Sequence, residues 1–211
     1  MTLATSPIRV DDMLALMRSR RVVRSFTDAP VREDHLLRIV EAARWATSAG
    51  NRHLHKFLIV RDPTRIRLVR SASPGMLAFP PSLIAILTDE VVAAREGVQL
   101  DHDRSTWIDV GTATMNMMNL AHALGLGTCP VTSFSRSGVA VMLDLPPGLV
   151  PELLVMVGHP APRERTLRPD APGAVTTRAL TYWERVGQHD PPKDGQDRDT
   201  GLPQENAWDS R

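Results

Sequence analysis

Residues 105–124 form the longest helical pattern in the chain, and its apolar residues do not keep to one side. Ile108, Gly111, Ala113, Met115, Met118, Leu120, Ala121 and Leu124 spread over most of the circumference. A helix that is apolar nearly all round has to be covered on more than one face. The segment therefore predicts a central helix buried on more than one side, and Gly125-Leu126-Gly127 stops it.

Shorter elements flank this helix. Asp11 is placed to cap a helix carrying Met13, Leu14, Leu16 and Met17, which runs out at Ser19-Arg20-Arg21. A second helix, from about Arg32 to near Trp45, has Leu36, Leu37, Ile39, Val40 and Ala43 on one face and Glu33 and Asp34 in its first turn. Short apolar runs at 56–60, 82–88, 128–134 and 153–157 read as buried strands, and 63–70 and 139–143 as short helices. No βα unit repeats, which predicts an α+β fold with a mixed, largely antiparallel sheet surrounded by helices. After a Pro- and Arg-rich linker, 178–186 reads as a last helical piece. A domain over 1–187 and a polar tail over 188–211 follow, the tail disordered, extended or wrapped around a partner subunit.

Composition narrows the function classes. A formal charge of +1 over 211 residues gives no field for nucleic acid or acidic membranes, although 23 of the 25 basic residues are arginine. The longest apolar run, Leu83 to Leu87, is far short of the ~20 residues of a membrane-spanning helix, and the first thirty residues carry no signal core. One cysteine, Cys129, forms neither an internal disulfide nor a multi-thiolate metal site. The expectation is a soluble cytoplasmic protein with no metal, acting on a small molecule.

Three segments stand out chemically. Arg20-Arg21-Val22-Val23-Arg24-Ser25-Phe26 places three guanidinium groups in five residues, a pattern able to grip a phosphate or to form an ordinary charged turn. Residues 46–57 feed a polar loop with Ser48, Ala49, Asn51, His53 and His55 into a strand. Residues 125–134 carry the long helix into a strand through Pro130, Val131, Thr132 and Ser133, with backbone N–H groups available beyond the proline.

Taken together and in order, these segments resemble the FMN-dependent nitroreductase superfamily over about residues 10–187. The family's Arg-Arg-Ser-hydrophobic-Arg/Lys-x-Phe signature is matched by Arg20 to Phe26, with Pro30-Val31 after it. Its Pro-Ser-x-x-Asn-x-Gln-Pro-Trp-x-Phe loop is matched at Ser48, Asn51 and Phe57. A Gly-Leu-Gly helix end and a late Val157-Gly158-His159-Pro160 complete the set. The sequence departs from the pattern at Val22 for Ser, Thr47 for Pro, and His53-Leu54-His55 for Gln-Pro-Trp. The last change removes an indole's packing area and adds groups that titrate near neutrality. It points to an altered substrate or reductant.

The resemblance implies an FMN cofactor reduced by NAD(P)H, a homodimer built around the long helix with both flavins at its interface, and ping-pong transfer to a nitroaromatic, quinone or enone. By position, Arg20, Arg21 and Val22 are implied on the phosphate and ribityl side, and Arg24 beside the flavin N1–C2 edge, where a cation stabilises the reduced anion. Ser48, Ala49, Asn51 and His53 are implied along the ring, and Pro130, Val131, Thr132 and Ser133 on the strand whose N–H faces N5. Arg178 is implied as the late phosphate contact, with Arg165 and Arg168 competing for that place. Two alternatives are a biosynthetic flavin oxidase or dehydrogenase, with His53 or His55 handling the proton, and an FMN-binding protein without turnover.

Other groups read as structural. Asp101-His102-Asp103 is expected on a solvated helix face, His122 and Met115, Met117 and Met118 in core or subunit contacts, and Cys129 as an inert buried thiol. The Gly-x-Ser-x-Gly elbow and the Gly-x-Gly-x-x-Gly fingerprint are absent from the sequence.

Overall fold

The computed structural model describes residues 8–100, 104–162 and 176–191. The chain divides into two compact units, Met1–Pro162 and Arg163–Arg211. The first unit runs α1 (Val10–Ser19), α2 (Glu33–Arg44), β1 (His55–Val60), α3 (Pro63–Ser71), β2 (Ser82–Asp89), α4 (Glu90–Arg95), α5 (Ser105–Ala123), β3 (Gly127–Val131), α6 (Arg136–Met142) and β4 (Leu149–Gly158).

The strands form one sheet in the order β1-β2-β4-β3, and every neighbouring pair is antiparallel. The expected parallel contribution is limited to a single bridge, Val22 to Thr128. The two inner strands are buried on both faces and divide the core by residue parity, as the period of two requires. Ile84 and Ile86 of β2 and Leu153, Val155 and Val157 of β4 meet α2 and α5 through Leu36, Ile39, Ala113 and Met117. Leu83, Ala85 and Leu87, with Leu154 and Met156, meet α3 and α6 through Ile66, Val69 and Val139. The sheet is the middle of three layers.

Local chemistry sets the element ends. Asp62 accepts from the Thr64 N–H at 2.8 Å and Pro63 follows it at the first helical position of α3. Leu124 caps α5, Gly125 takes φ 75°, and the Leu126 N–H reaches back to the Ala121 carbonyl at 2.9 Å, which satisfies the last carbonyls. Asp89 accepts from the Val92 N–H and starts α4, a helix that periodicity did not reveal because only Ala93 in it is buried.

Several expectations are corrected. Asp11 lies within the first turn of α1, and the N-cap is Arg9, without a side-chain bond. β3 ends at Val131 because the next residues bond to the α3–β2 connection: Gly75 N–H donates to Ser133 O at 2.9 Å and Ser135 N–H to Ala72 O at 2.8 Å. β4 begins earlier than expected, at Leu149.

In the second unit the expected helix over 178–186 is a single 3-10 turn, Arg178–Leu180. Thr181 is extended and Glu184 has φ 57°, so the helical hydrogen bonds cannot continue. Arg165, Arg168, Asp101, His102 and Asp103, most of the linker and the tail beyond 191 lie outside the described residues.

α5 is covered on one side only within the first unit. Its buried residues include Val110, Ala113, Thr114, Met117, Met118 and Ala121, while Trp107, Ile108, Gly111 and Met115 form an exposed stripe on the other side. α1 has no buried residue at all, and Val10, Met13, Leu14 and Met17 repeat along it at helical spacing.

Two stability predictions follow from this packing. A Cβ on Gly127 would lie 2.7 Å from Val23 Cβ, so Gly127→Ala should destabilise the domain by about 1–3 kcal/mol through forced displacement of the Val23 segment, read from its denaturant midpoint. At His55 both ring nitrogens are buried without a hydrogen-bond partner among the described residues. Burial pushes its pKa below the ordinary histidine value, with the nearby Asp109 carboxylate opposing in part. Below pH about 6.5 the unfolded chain takes up a proton that the folded imidazole refuses, so stability should fall as pH drops from there. His55→Phe should flatten that dependence between pH 7.5 and 5.5.

Candidate functional site

The residues after α1 form an extended segment that meets the free edge of β3 at Thr128 and then pairs with the residues following β4. Val23 N–H donates to Thr128 O at 2.9 Å. Further along, Thr27 N–H donates to His159 O at 2.9 Å and Ala161 N–H to Ser25 O at 3.0 Å. Phe26 bridges Pro160. The arginine signature and the Val-Gly-His-Pro motif, 130 residues apart in sequence, are thus joined by backbone bonds.

This pinning sets the cations. Arg20 and Arg21 line a recess with Ser19, His122, Gly125 and Thr128. His122 Nε2 lies 2.8 Å from the Ser19 hydroxyl, which gives that histidine a partner on α1. Arg21 also donates to the Arg18 and Arg20 carbonyls at 2.5 and 2.8 Å, so one of its nitrogens already closes the end of α1. Arg24 faces the Cys129 thiol on β3. Burial raises the pKa of that thiol and Arg24 partly counters the rise. Cys129 is therefore a buried thiol kept protonated, as its inert reading requires.

The polar loop is built differently. Gly50, Asn51 and His53 all have φ between 50° and 61°, the left-handed region that non-glycine residues seldom occupy. The turn is held by the buried Asp109, whose two carboxylate oxygens accept from the Ala49 N–H at 3.2 and 3.1 Å. Thr112 Oγ1 donates to Thr47 O at 3.3 Å, and Asn116 Nδ2 to Ala42 O at 3.1 Å. Ser48 Oγ is buried without a partner among the described residues, while Asn51 and His53 are exposed.

The predicted residues therefore form two groups rather than one. Arg20, Arg21, Val22 and Arg24 lie together by the start of β3, Pro130 and Val131 follow in the strand, and Thr132, past its last ladder pair, reaches a cavity shared with Thr106, Trp107 and Val110 in the first turns of α5. Ser48, Ala49, Asn51 and His53 gather at Asp109, in the first turns of α5, whereas the arginine recess adjoins His122 in the last turn. At 1.5 Å per residue these positions are about 20 Å apart along the helix. Arg178, in the second unit, pairs with Asp190 at 3.0 Å.

Two features escaped the sequence. Asp109 carries the loop, and nothing in its spacing set it apart from a solvated acidic residue. A cavity of about 360 Å³ between α5 and the ends of β3 and β4 includes Thr132, Trp107, Phe134, Arg136 and Glu152. Its residues are scattered over 48 positions, from Thr106 to Leu153, and share no motif.

A phosphate-bearing flavin fits the first group. The recess places two guanidinium groups side by side, and Thr132 and Ser133 lie beyond the last ladder pair of β3, where a bound ring can meet their backbone. The orphaned Ser48 hydroxyl leaves a polar contact to be made at the second group.

Known proteins share this fold. An NAD(P)H-type FMN reductase of Bacillus subtilis is 24% identical over 188 residues, which cover 82% of this chain and 75% of the relative. The solved NfrA1 nitroreductase of B. subtilis superposes with a TM-score of 0.66 at 20% identity, covering 86% of this chain and 76% of that one. An FMN-dependent nitroreductase of Clostridium difficile gives 0.61 at 21% identity, covering 74% and 91%. The nitroreductase family model matches residues 17–80 and 72–159, both motif groups included. The chain belongs to the nitroreductase family.

Proposed function

We propose that the chain is an FMN-dependent oxidoreductase that takes electrons from NAD(P)H and passes them, in ping-pong order, to an electron-poor organic acceptor such as a nitroaromatic, quinone or enone. The observation that carries this reading is the Arg20–Phe26 segment bonded to β3 at Thr128, which brings three cations to one strand edge. Related proteins bear the names FMN reductase and FMN-dependent nitroreductase, and the family match spans the residues that carry the motifs.

Bound at this edge, FMN supplies the hydride chemistry that no side chain of the protein can provide. Arg20 and Arg21 would hold its phosphate, and Arg24 would set a fixed positive charge beside the ring. Thr132, past the end of the ladder, would offer it a backbone N–H. No side-chain acid or base is indispensable in this account: His55 is neutral by burial, and His53 sits in solvent.

The site is completed by a second copy of the chain. The Ser48–His53 loop and the arginine recess lie at opposite ends of α5, and the stripe Trp107, Ile108, Gly111 and Met115 is uncovered. A twofold that crosses two copies of α5 antiparallel near Met115, at the end of the stripe, brings the loop level of one copy to the arginine level of the other. It also covers the second face of a helix whose sequence demands it. Cytoplasmic NAD(P)H and a reduced Cys129 suit this role.

Purified protein should show a flavin spectrum and release FMN on heating. Arg24→Ala should slow flavin reduction by NADH about 10- to 100-fold, followed as bleaching in a stopped-flow instrument. An unchanged rate removes the electrostatic role of Arg24. Arg20→Ala and Asn51→Ala should each weaken activity alone, whereas subunit exchange between the two variants should restore one intact site per mixed dimer. No recovery on mixing would place both groups in the same subunit's site.

A further inference from the structure

The cavity beside Thr132 has a composition that the reading above does not use. Its walls are Trp107, Val110, Phe134 and Leu153, and two charged side chains, Arg136 and Glu152, enter the same space. At about 360 Å³ it falls within the range of small-molecule sites.

The acidic residue is there because of an irregularity in the sheet. The β2–β4 register passes from Ile86↔Leu153 to Leu87↔Pro151, which leaves Glu152 as the extra residue of a bulge. A bulge re-aims a side chain that the regular pleat would send to the opposite face. Here both Glu152 and its neighbour Leu153 line the cavity. The Glu152 side chain is only 13% exposed, and its Oε2 lies 2.6 Å from Arg136 Nη2. That contact is an ion pair in which Arg136 engages Oε2, and a carboxylate retains further lone pairs for a second donor. Arg136 Cζ in turn lies 4.8 Å from the Trp107 ring centroid, and its side chain is 44% exposed, with N–H donors to spare.

A buried carboxylate is costly unless a donor reaches it. The pair therefore offers one acceptor and one donor side by side at the rim of a flat aromatic wall. A primary carboxamide is the complement of that pair: its NH₂ donates to Glu152 and its oxygen accepts from Arg136. A carboxylate would turn an oxygen against Glu152. We infer that this cavity is a recognition site for a planar aromatic carboxamide, with the ring against Trp107 and the amide on the Glu152–Arg136 pair. The inference rests on the proposed function in one respect: Thr132, which lines the cavity, is the strand end assigned to the flavin, so the bound ring would lie next to it. The same chemistry arises from two sources, the nicotinamide ring of the reductant and an acceptor substrate bearing a carboxamide.

Calorimetric titration of the full-length, FMN-loaded protein with benzamide and with benzoate tests this without turnover. Benzamide should bind at least about tenfold more tightly than benzoate, as expected for a hydrogen bond to a charged group. Glu152→Gln should cut benzamide affinity about tenfold and erase the preference. Arg136→Gln, at a half-exposed position, should weaken both ligands and serves if the first variant does not fold. Equal binding of the two ligands, or no binding of benzamide by protein that retains FMN, overturns the inference and leaves the flavin reading intact. Selective benzamide binding by protein that never takes up FMN supports the pocket and defeats the flavin reading. In the loaded enzyme, a higher KM for NADH in Glu152→Gln identifies the nicotinamide as occupant. A higher KM for 4-nitrobenzamide but not for nitrobenzene identifies the acceptor. Unchanged KM for both overturns the assignment.

Discussion

Val23 rests against the backbone of Gly127, in space that any other residue's Cβ would fill, and its N–H bonds to Thr128 O. The position of every cation in the site depends on that approach. Once the backbone is held there, extended geometry sends successive side chains to alternate sides, and the 20–26 segment passes from Thr128 of β3 to Pro160, which Phe26 meets. The same contact pairs the Thr128 carbonyl on the free edge of β3. A single glycine thus serves both the fold and the ligand site. The Gly-Leu-Gly motif combines two unrelated requirements, a left-handed helix stop at Gly125 and a missing side chain at Gly127.

The sequence disclosed the parts of this molecule that repeat with a period or carry a fixed order of side chains. β2 was legible because Leu83 to Leu87 is apolar on both faces, and α5 because its apolar residues surround the axis. α4 was not, since six residues with one buried side chain leave no periodic trace. The end of β3 was missed for a different reason. Thr132, Ser133 and Phe134 continue a strand pattern, and only the tertiary bonds to Ala72 and Gly75 take the chain away from the sheet. Within the site, the arginines and the 48–53 loop could be found from residue type and order. Asp109, which holds the loop, could not, because its role lies in an orientation that the sequence does not encode locally.

The two faces of α5 explain why a chain with a complete three-layer core still has an unfinished surface. Met117 and Ala121 are fully buried against α2 and the sheet. Four positions on the other side, among them Trp107 and Ile108 at more than 60% exposure, have no cover among the described residues. Uncovered aromatic and aliphatic stripes of this kind mark association rather than stability of the monomer. The loop built on Asp109 borders that stripe, so the residues furthest from the arginines within one chain are those best placed to serve a second one.

The bulge at Glu152 belongs to the same economy. β4 is a central strand buried along most of its length, and a regular ladder would leave no place for an ionised side chain. Inserting one residue between Pro151 and Leu153 keeps the hydrophobic register on both sides of the break: Leu87 still faces α3 and α6, and Ile86 still faces α5. The extra residue is free to point where the pleat does not dictate. Because the pairing with β2 resumes at once, the irregularity is confined to one carboxylate and the cavity it enters. An Ala at that position would relieve the burial of a charge, yet the fold keeps the charge and sets Arg136 and Trp107 beside it. A buried ion pair adds little stability by itself. Its retention is better accounted for by what it presents to the cavity than by what it contributes to the core.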